Sequence, residues 1–227
     1  MKIALFTLTK DRLNYTQRTL KSLRSKTSVP FDHFILDQNS KDKTVEWLNQ
    51  FTYKQGKLFV YPLAINIGIN RGVNFIVDKI GSEYDIIVKV DNDMTIETQD
   101  WLKKCLKVFK PKLLLSPYIK GLIDNRGGVA RTRCLDGDIK IGFTHFIGGM
   151  CMIGLRKAWY EDSGGWEYPV PRHAGGDRAF CLQLALKGYK FGYKEDVVIK
   201  HIESTSGQHE RYSDYFRKRK SERRVIF

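Results

Sequence analysis

Ten consecutive residues constrain this chain more than any others: Tyr84-Asp85-Ile86-Ile87-Val88-Lys89-Val90-Asp91-Asn92-Asp93. A mostly apolar, β-branched run reads as a buried strand, and this one stops at two acids one residue apart. If the backbone stays extended, Asp91 and Asp93 at i and i+2 project to the same side. Two carboxylates there offer hard oxygen ligands to Mg2+ or Mn2+, and a cation relieves their mutual repulsion. A lone D-x-D is also what a polar turn leaving a strand looks like. The rest of the chain decides between the two.

A length of 227 residues fits one domain with a sizeable core. No apolar run reaches the roughly 18 residues a membrane span needs. The start, Met1 to Thr9, is short and polar for a signal peptide and reads as a first strand. The expected location is the cytoplasm, with docking at a membrane surface as the alternative. Cys105, Cys134, Cys151 and Cys181 are scattered without C-x-x-C spacing, which points to free thiols over zinc or disulfides.

Charge is the unusual quantity, with 39 Lys+Arg against 25 Asp+Glu and a net of +14. Two blocks carry much of it. Lys103, Lys104, Lys107, Lys110, Lys112, Lys120, Arg126, Arg131 and Arg133 face Asp124 alone. Arg211, Arg217, Lys218, Arg219, Lys220, Arg223 and Arg224 face Asp214 and Glu222. Such blocks suit a polyanionic partner: nucleic acid, an anionic membrane surface or an anionic glycan.

The first half alternates strand and helix. Strands are expected over Lys2–Leu8, His33–Leu36, Leu58–Leu63 and the run into Asp91. Between them, Asn14-Tyr15-Thr16-Gln17 has capping-box spacing before Leu20 and Leu23. Val45, Leu48 and Phe51 mark a second helix. Asn70 is placed to cap a third, with Val73, Ile76, Val77 and Ile80 on one face and Gly81 as its stop. Leu102, Cys105, Leu106 and Phe109 repeat that stripe before Pro111. The pattern predicts an α/β fold with a mixed, mostly parallel sheet flanked by helices. Ligands of such sheets bind beyond the carboxyl ends of the strands. Polar clusters follow three of these ends, at Thr9–Arg12, Asp37–Ser40 and Asp91–Asp93, and are expected on one rim.

The second half is less regular. Leu113–Tyr118 reads as a strand, 121–142 as a long Gly- and charge-rich connection, and Phe146–Ile153 as an apolar run broken by Gly148-Gly149. A helix follows Gly175-Gly176-Asp177 and stops at Gly188. Val197–Ile199 is a last strand, ending at Lys200-His201. The expected division is one domain over 1–203 and a basic tail over 204–227.

Taken together, these motifs resemble family 2 glycosyltransferases of the GT-A fold. Leu8-Thr9-Lys10-Asp11-Arg12 resembles the family's P-T-Y-N-R opening, and Asp37 through Thr44 resembles its D-x-x-S-x-D-x-T. Asn66-Ile67-Gly68 through Asn74 resembles N-x-G-x-x-x-A-R-N, and Asp91-Asn92-Asp93 is similar to its D-x-D. Asp177 with Leu186-Lys187-Gly188-Tyr189 resembles the E-D helix and its K-G-Y end, and His201 matches a late metal-binding His.

The resemblance implies a nucleotide-sugar-dependent, metal-using transferase. Thr9, Arg12, Asp37, Asn66, Gly68 and Asp91 would hold the donor, Asp37 at the base and Asp91 at the ribose. Asp93 and His201 would bind Mn2+ or Mg2+, although coordination by carboxylate alone stays open because His is softer than Mg2+ prefers. Asp177 would be the general base, or a helix cap, or both. One base without a carboxylate nucleophile points to single displacement with inversion. Gly176 stands where the family has Glu, Ala179 and Gln183 replace a further acid and an Arg, and Val73 replaces an Arg. The gap at Gly176 suggests an altered acceptor site. Trp166, after Gly165, either stacks on the acceptor or is simply buried. The acceptor implied first is an envelope glycan or lipid-linked sugar. Hydroxymethylated bases of DNA, exposed by flipping, are the alternative. A nucleotidyltransferase and an inactive basic binding module complete the set of readings.

Overall fold

Strand β4 (Ile86–Val90) is buried along its whole length and lies near the middle of the sheet. The structure is a computed structural model and describes residues 1–121, 132–136, 139–166, 176–203 and 213. Around β4 stand β1 (Ile3–Thr9), β2 (Asp32–Asp37) and β3 (Leu58–Pro62). All four are parallel, in the order β3-β2-β1-β4. Their crossovers are the helices α1 (Leu13–Lys26), α2 (Thr44–Gln50) and α3 (Ile69–Lys79). Parallel neighbours require such crossovers.

Beyond β4 the pairing changes. β9 (Cys151–Leu155) runs antiparallel to both β4 and β6 (Leu113–Lys120), and β10 (Lys190–His201) is parallel to β6. The hairpin β7 (Thr132–Asp136) and β8 (Ile139–Thr144) closes that edge, and β5 (Met94–Ile96) pairs antiparallel with β10. Helices α4 (Trp101–Val108) and α5 (Gly176–Leu186) complete the flanks, with a π-helical turn over Ala158–Asp162. The fold is thus a mixed α/β domain with a central sheet between helices, parallel in its first half.

Periodicity placed the helices well and their starts less well. Val73, Ile76, Val77 and Ile80 are buried as the stripe requires. Asn14 is inside α1, however, and the residue before that helix is Arg12, in a left-handed conformation. Asp42 Oδ2 does the capping instead, accepting from Leu13 N at 3.0 Å. Asn70 likewise sits inside α3, which Gly68 precedes with φ 86°. Besides the hairpin strands below, β5, with three residues, escaped the sequence, as did the first half of β10, where Gly192, Lys194 and Glu195 look like loop. Part of the long connection over 121–142 is the β7–β8 hairpin; residues 122–131 lie outside the described part.

The core has two faces. Trp101 opens α4 fully buried, its indole N–H donating to Thr27 Oγ1 at 2.8 Å. Trp159, Trp166 and Phe180 pack together near the start of α5. Cys105, Cys151 and Cys181 are free and buried, as scattered thiols should be. Among the described residues no helix is long and apolar enough to cross a membrane.

His33 in β2 is completely buried. Its Nε2 lies 3.0 Å from Thr7 Oγ1, which itself donates to the Val90 carbonyl at 2.8 Å. Thr7 therefore accepts from Nε2–H, and Nδ1 accepts from the Tyr53 hydroxyl at 2.8 Å. Burial pushes the His33 pKa down from 6.5 to about 3, so the ring stays neutral in the fold. The unfolded chain binds a proton here below pH 6.5 and the folded chain does not until about pH 3. Stability from this group is therefore present above pH 6.5 and lost as pH falls toward 3. Urea titrations from pH 7 to 5 should show His33→Gln losing less stability than the wild type, by on the order of 1 kcal/mol per pH unit below the unfolded value.

Candidate active site

Because β1, β2 and β4 are parallel, their carboxyl ends share one rim, and the three polar clusters meet there as expected. Side chains of the loops brace one another. Asp37 is 1 % exposed; its Oδ1 accepts from Ser40 N at 2.9 Å and its Oδ2 from the Ser40 hydroxyl. Ser40 Oγ accepts in turn from Asp11 N at 2.7 Å, and Asp11 Oδ1 from Lys41 N at 2.6 Å. Asp42, besides capping α1, accepts from Thr44 N at 3.0 Å and so starts α2. The D-x-x-S-x-D-x-T stretch is thus a brace between two loops as well as one wall of the site.

Asp11 and Arg12 both have positive φ, 53° and 60°. That conformation is strained for a residue with a side chain. It turns the Arg12 guanidinium back over the end of β4, where it donates to Asn92 Oδ1 at 3.2 Å and to Asp93 Oδ2 at 3.4 Å.

Residues 91–93 do not continue the strand. They turn between β4 and β5, so the expectation of an extended D-x-D is corrected, and the two carboxylates take different partners. The turn is held by Asn92, buried at 4 % exposure. Its Nδ2 donates to Thr9 Oγ1 at 3.1 Å and to Thr16 Oγ1 at 3.2 Å, and its carbonyl accepts from Thr19 Oγ1 at 2.8 Å. Thr9, expected to touch the donor, is buried and belongs to this network, 2.8 Å from Thr16 Oγ1. Sequence reasoning passed over Asn92; its place between two acids was the available signal.

Asp93 meets His201 because β5 pairs with β10, with Met94 opposite His201 and Ile202 N donating to the Asp93 carbonyl at 2.8 Å. His201 Nε2 stands 3.7 Å from Asp93 Oδ2. The Glu203 backbone carbonyl bonds Nδ1, and a carbonyl only accepts, so Nδ1 carries a proton. Nε2 faces Asp93, which is the orientation a metal-ligating imidazole takes. A carboxylate and an imidazole so arranged suit a divalent cation. Among the described residues no cluster of three or more His, Cys, Asp or Glu side chains gathers for a metal.

Asp91 points elsewhere and forms an ion pair with Lys89. Burial raises its carboxyl above the ordinary value, Lys89 opposes that, and the Asp93 charge adds to it. The recess is open at its mouth, since the Asp91 side chain keeps 36 % exposure, and water there tempers the rise. On the neighbouring wall Asn66 is exposed, with Oδ1 accepting from Gly68 N at 2.9 Å. Gly68 allows the positive φ from which α3 begins.

At the other side stands α5. Asp177 is its second residue, inside the first turn and not its cap. Oδ1 accepts from Arg178 N at 2.9 Å and Oδ2 from Gly149 N at 3.1 Å. Gly176 is explained by space: a Cβ there would lie 2.2 Å from Asn70 Oδ1 and 2.8 Å from Trp166 Cε3. The amide of Asn70 occupies the room a larger residue would need. Trp166 is 3 % exposed and nearly parallel to Trp159, with ring centroids 6.4 Å apart. The buried reading is the one observed, and the indole is a wall and not an open stacking platform. Asn74 Oδ1 fixes its backbone, accepting from Trp166 N at 2.9 Å.

Three described lysines of the first basic block can be placed along β6. Lys110 and Lys112 flank the start of β6, at the opposite rim from the end of β4, while Lys120 ends β6 on the site side. Arg126 and Arg131, the side chain of Arg133, and the basic residues of the tail lie outside the described residues.

Residues 5–161 match the profile described as Glycosyl transferase family 2. No curated protein matches the sequence. A Pyrobaculum calidifontis mannosyltransferase, PcManGT, in complex with GDP-Man and Mn2+ has a similar structure, with a TM-score of 0.71 at 17 % identity. That match covers 92 % of this chain and 59 % of the other. S. aureus TarS 1-349 in complex with UDP-GlcNAc gives 0.66 at 17 % identity, covering 88 % and 58 %. GalNAc-T7 with UDP, GalNAc and Mn2+ gives 0.69 at 13 %, covering 88 % and 44 %. The chain therefore spans about three fifths or less of these proteins, and the likeness establishes the GT-A fold.

The close approach at Gly176 can be measured. Gly176→Ala should lower stability by about 1–3 kcal/mol in urea unfolding, as overpacking does. Adding Asn70→Ala should recover part of that loss, because it removes the nearest atom.

Proposed function

The chain belongs to glycosyl transferase family 2, and on that premise we propose that it moves a sugar from a nucleoside-diphosphate sugar to an acceptor hydroxyl, with inversion. One observation carries the reading. Asp93 and His201, 108 residues apart in sequence, face each other across 3.7 Å with the imidazole held by Glu203.

Asp93 and His201 would hold Mn2+ or Mg2+, which when bound supplies Lewis-acid stabilisation of the departing nucleoside diphosphate. Arg12, already beside Asp93, adds a fixed positive charge on the same side. Asp37 offers acceptor oxygens to a base N–H, and Asp91 accepts from ribose hydroxyls. Asn66 and Gly68 shape the wall beside them. Asp177, with Oδ2 tethered to Gly149, keeps unused lone pairs to take the acceptor proton while the acceptor oxygen attacks the anomeric carbon. With a single base and a metal-assisted leaving group, attack comes from the face opposite the diphosphate.

The acceptor we favour is a glycan or lipid-linked hydroxyl. A glycan or lipid-linked hydroxyl is the commoner acceptor in this family. A hydroxymethylated base of DNA is the alternative, and one assay separates the two.

Release of nucleotide from a panel of sugar nucleotides should require Mn2+ or Mg2+, stop with chelator and be lost in Asp93→Ala. Stimulation by hydroxymethylated DNA would select the DNA acceptor; indifference to it keeps the glycan. Asp177→Asn should lower kcat by about 100-fold or more while donor affinity stays within about twofold, as expected for a base that meets only the acceptor. Absence of release from every donor would overturn the assignment.

A further inference from the structure

A lysine enclosed within a sheet must have acceptors for its protons. Lys89, in the middle of the sheet on β4, is such a residue at 3 % exposure. It lies two positions before Asp91, which follows the end of the strand. Its ammonium ion-pairs with Asp91 Oδ1 and donates to the Gly149 carbonyl, and the Trp166 ring centroid is 5.6 Å away. A carboxylate, a carbonyl and an aromatic face together satisfy the charge.

Gly149 has a second partner. Its N–H donates to Asp177 Oδ2 at 3.1 Å. A Cβ at this position would stand 3.0 Å from Trp166 Cη2 and 3.4 Å from Asp177 Cβ, so the residue is a backbone spacer with little room for a side chain. The preceding N–H, that of Gly148, donates to the Tyr193 hydroxyl at 3.3 Å. Register explains why the loop is here: Val90 pairs with Cys151, and Asp91 N donates to the Met150 carbonyl at 2.9 Å.

We propose that Lys89 is a positioning residue that ties Asp91 on the donor side to Asp177 on the acceptor side through the backbone of Gly149. The proposal rests on the donor and base roles given to those two aspartates above. The ammonium balances Asp91, which otherwise confronts Asp93 across the 91–93 turn. It also anchors the Gly149 carbonyl, on the residue whose N–H holds Asp177 Oδ2. A neutral residue at position 89 leaves the Asp91 charge unbalanced and the Gly149 loop untied at once.

Lys89→Met keeps the length and removes the charge. Donor KM should rise and kcat should fall, each about tenfold, since breaking an enclosed ion pair disturbs both ends. Lys89→Met/Asp91→Asn removes the orphaned carboxylate and should recover thermal stability, which also supplies a folded protein if the single variant does not fold. Its kcat should stay about tenfold below that of Asp91→Asn alone, because Gly149 remains unanchored. Equal kcat in those two variants would overturn the proposal and leave Lys89 as a charge plug for Asp91. If the wild-type protein turns over no nucleotide sugar, the function proposed above fails separately. The coupling is then read from the amide resonances of Gly149 and Arg178: displacement in the double variant relative to Asp91→Asn supports it, and unchanged positions overturn it.

Discussion

The site depends first on the hydrogen bonding of one buried amide, Asn92. Its side chain reaches Thr9 on β1, Thr16 on α1 and Arg12 between them, while its carbonyl holds Thr19. Leaving a buried donor or acceptor unsatisfied costs about 1–3 kcal/mol per group. The turn that carries Asp91 and Asp93 is therefore fixed by three threonines and an arginine contributed by the first strand and helix. Those threonines are buried for the same reason. They are structural supports for two acids that a chain of this composition would otherwise leave in a loose loop.

Around that turn each acid has a cation of its own. Asp93 has Arg12, and Asp91 has Lys89. Two carboxylates two residues apart would repel in a recess of low polarity, and pairing each one separately lets both stay in place without a ligand. The arrangement is preorganised: the groups a diphosphate would meet are already oriented by the protein, and little rearrangement is needed when charge develops. The cost appears in the backbone, where Asp11, Arg12 and Asn39 all adopt positive φ on the same rim.

Much of this was legible from the chain. Apolar runs with β-branched residues marked β1, β2 and β4, and the stripe Val73–Ile80 marked α3, because burial imposes a period that pattern can show. Helix starts were misread at Asn14 and Asn70, since both looked like caps while Asp42 and a glycine did that work from outside the helix. β5 and the first half of β10 were missed because three residues carry no period, and because lysines and a glycine in a strand conceal its apolar face. The orientation of the candidate residues was less legible for a similar reason. His201 and Asp93 meet across 3.7 Å, whereas Thr9 and Trp166 are buried. The types of side chain at a site are written in the sequence, but which way each one faces is set by its neighbours.

The sequence by itself determined the alternation of strands and helices, the acids at the strand ends and the family to which they belong. These are properties of local pattern and of order along the chain, and neither needs coordinates. Only the tertiary structure decided that Lys89 joins Asp91 to Gly149, that Asn70 fills the space beside Gly176, and that His201 turns Nε2 toward Asp93. Each of those contacts joins elements far apart in sequence through the register of β4 with β9 or of β5 with β10, or through the packing of α3 against α5. A one-residue change of register reverses the face a side chain occupies, and no local pattern records it.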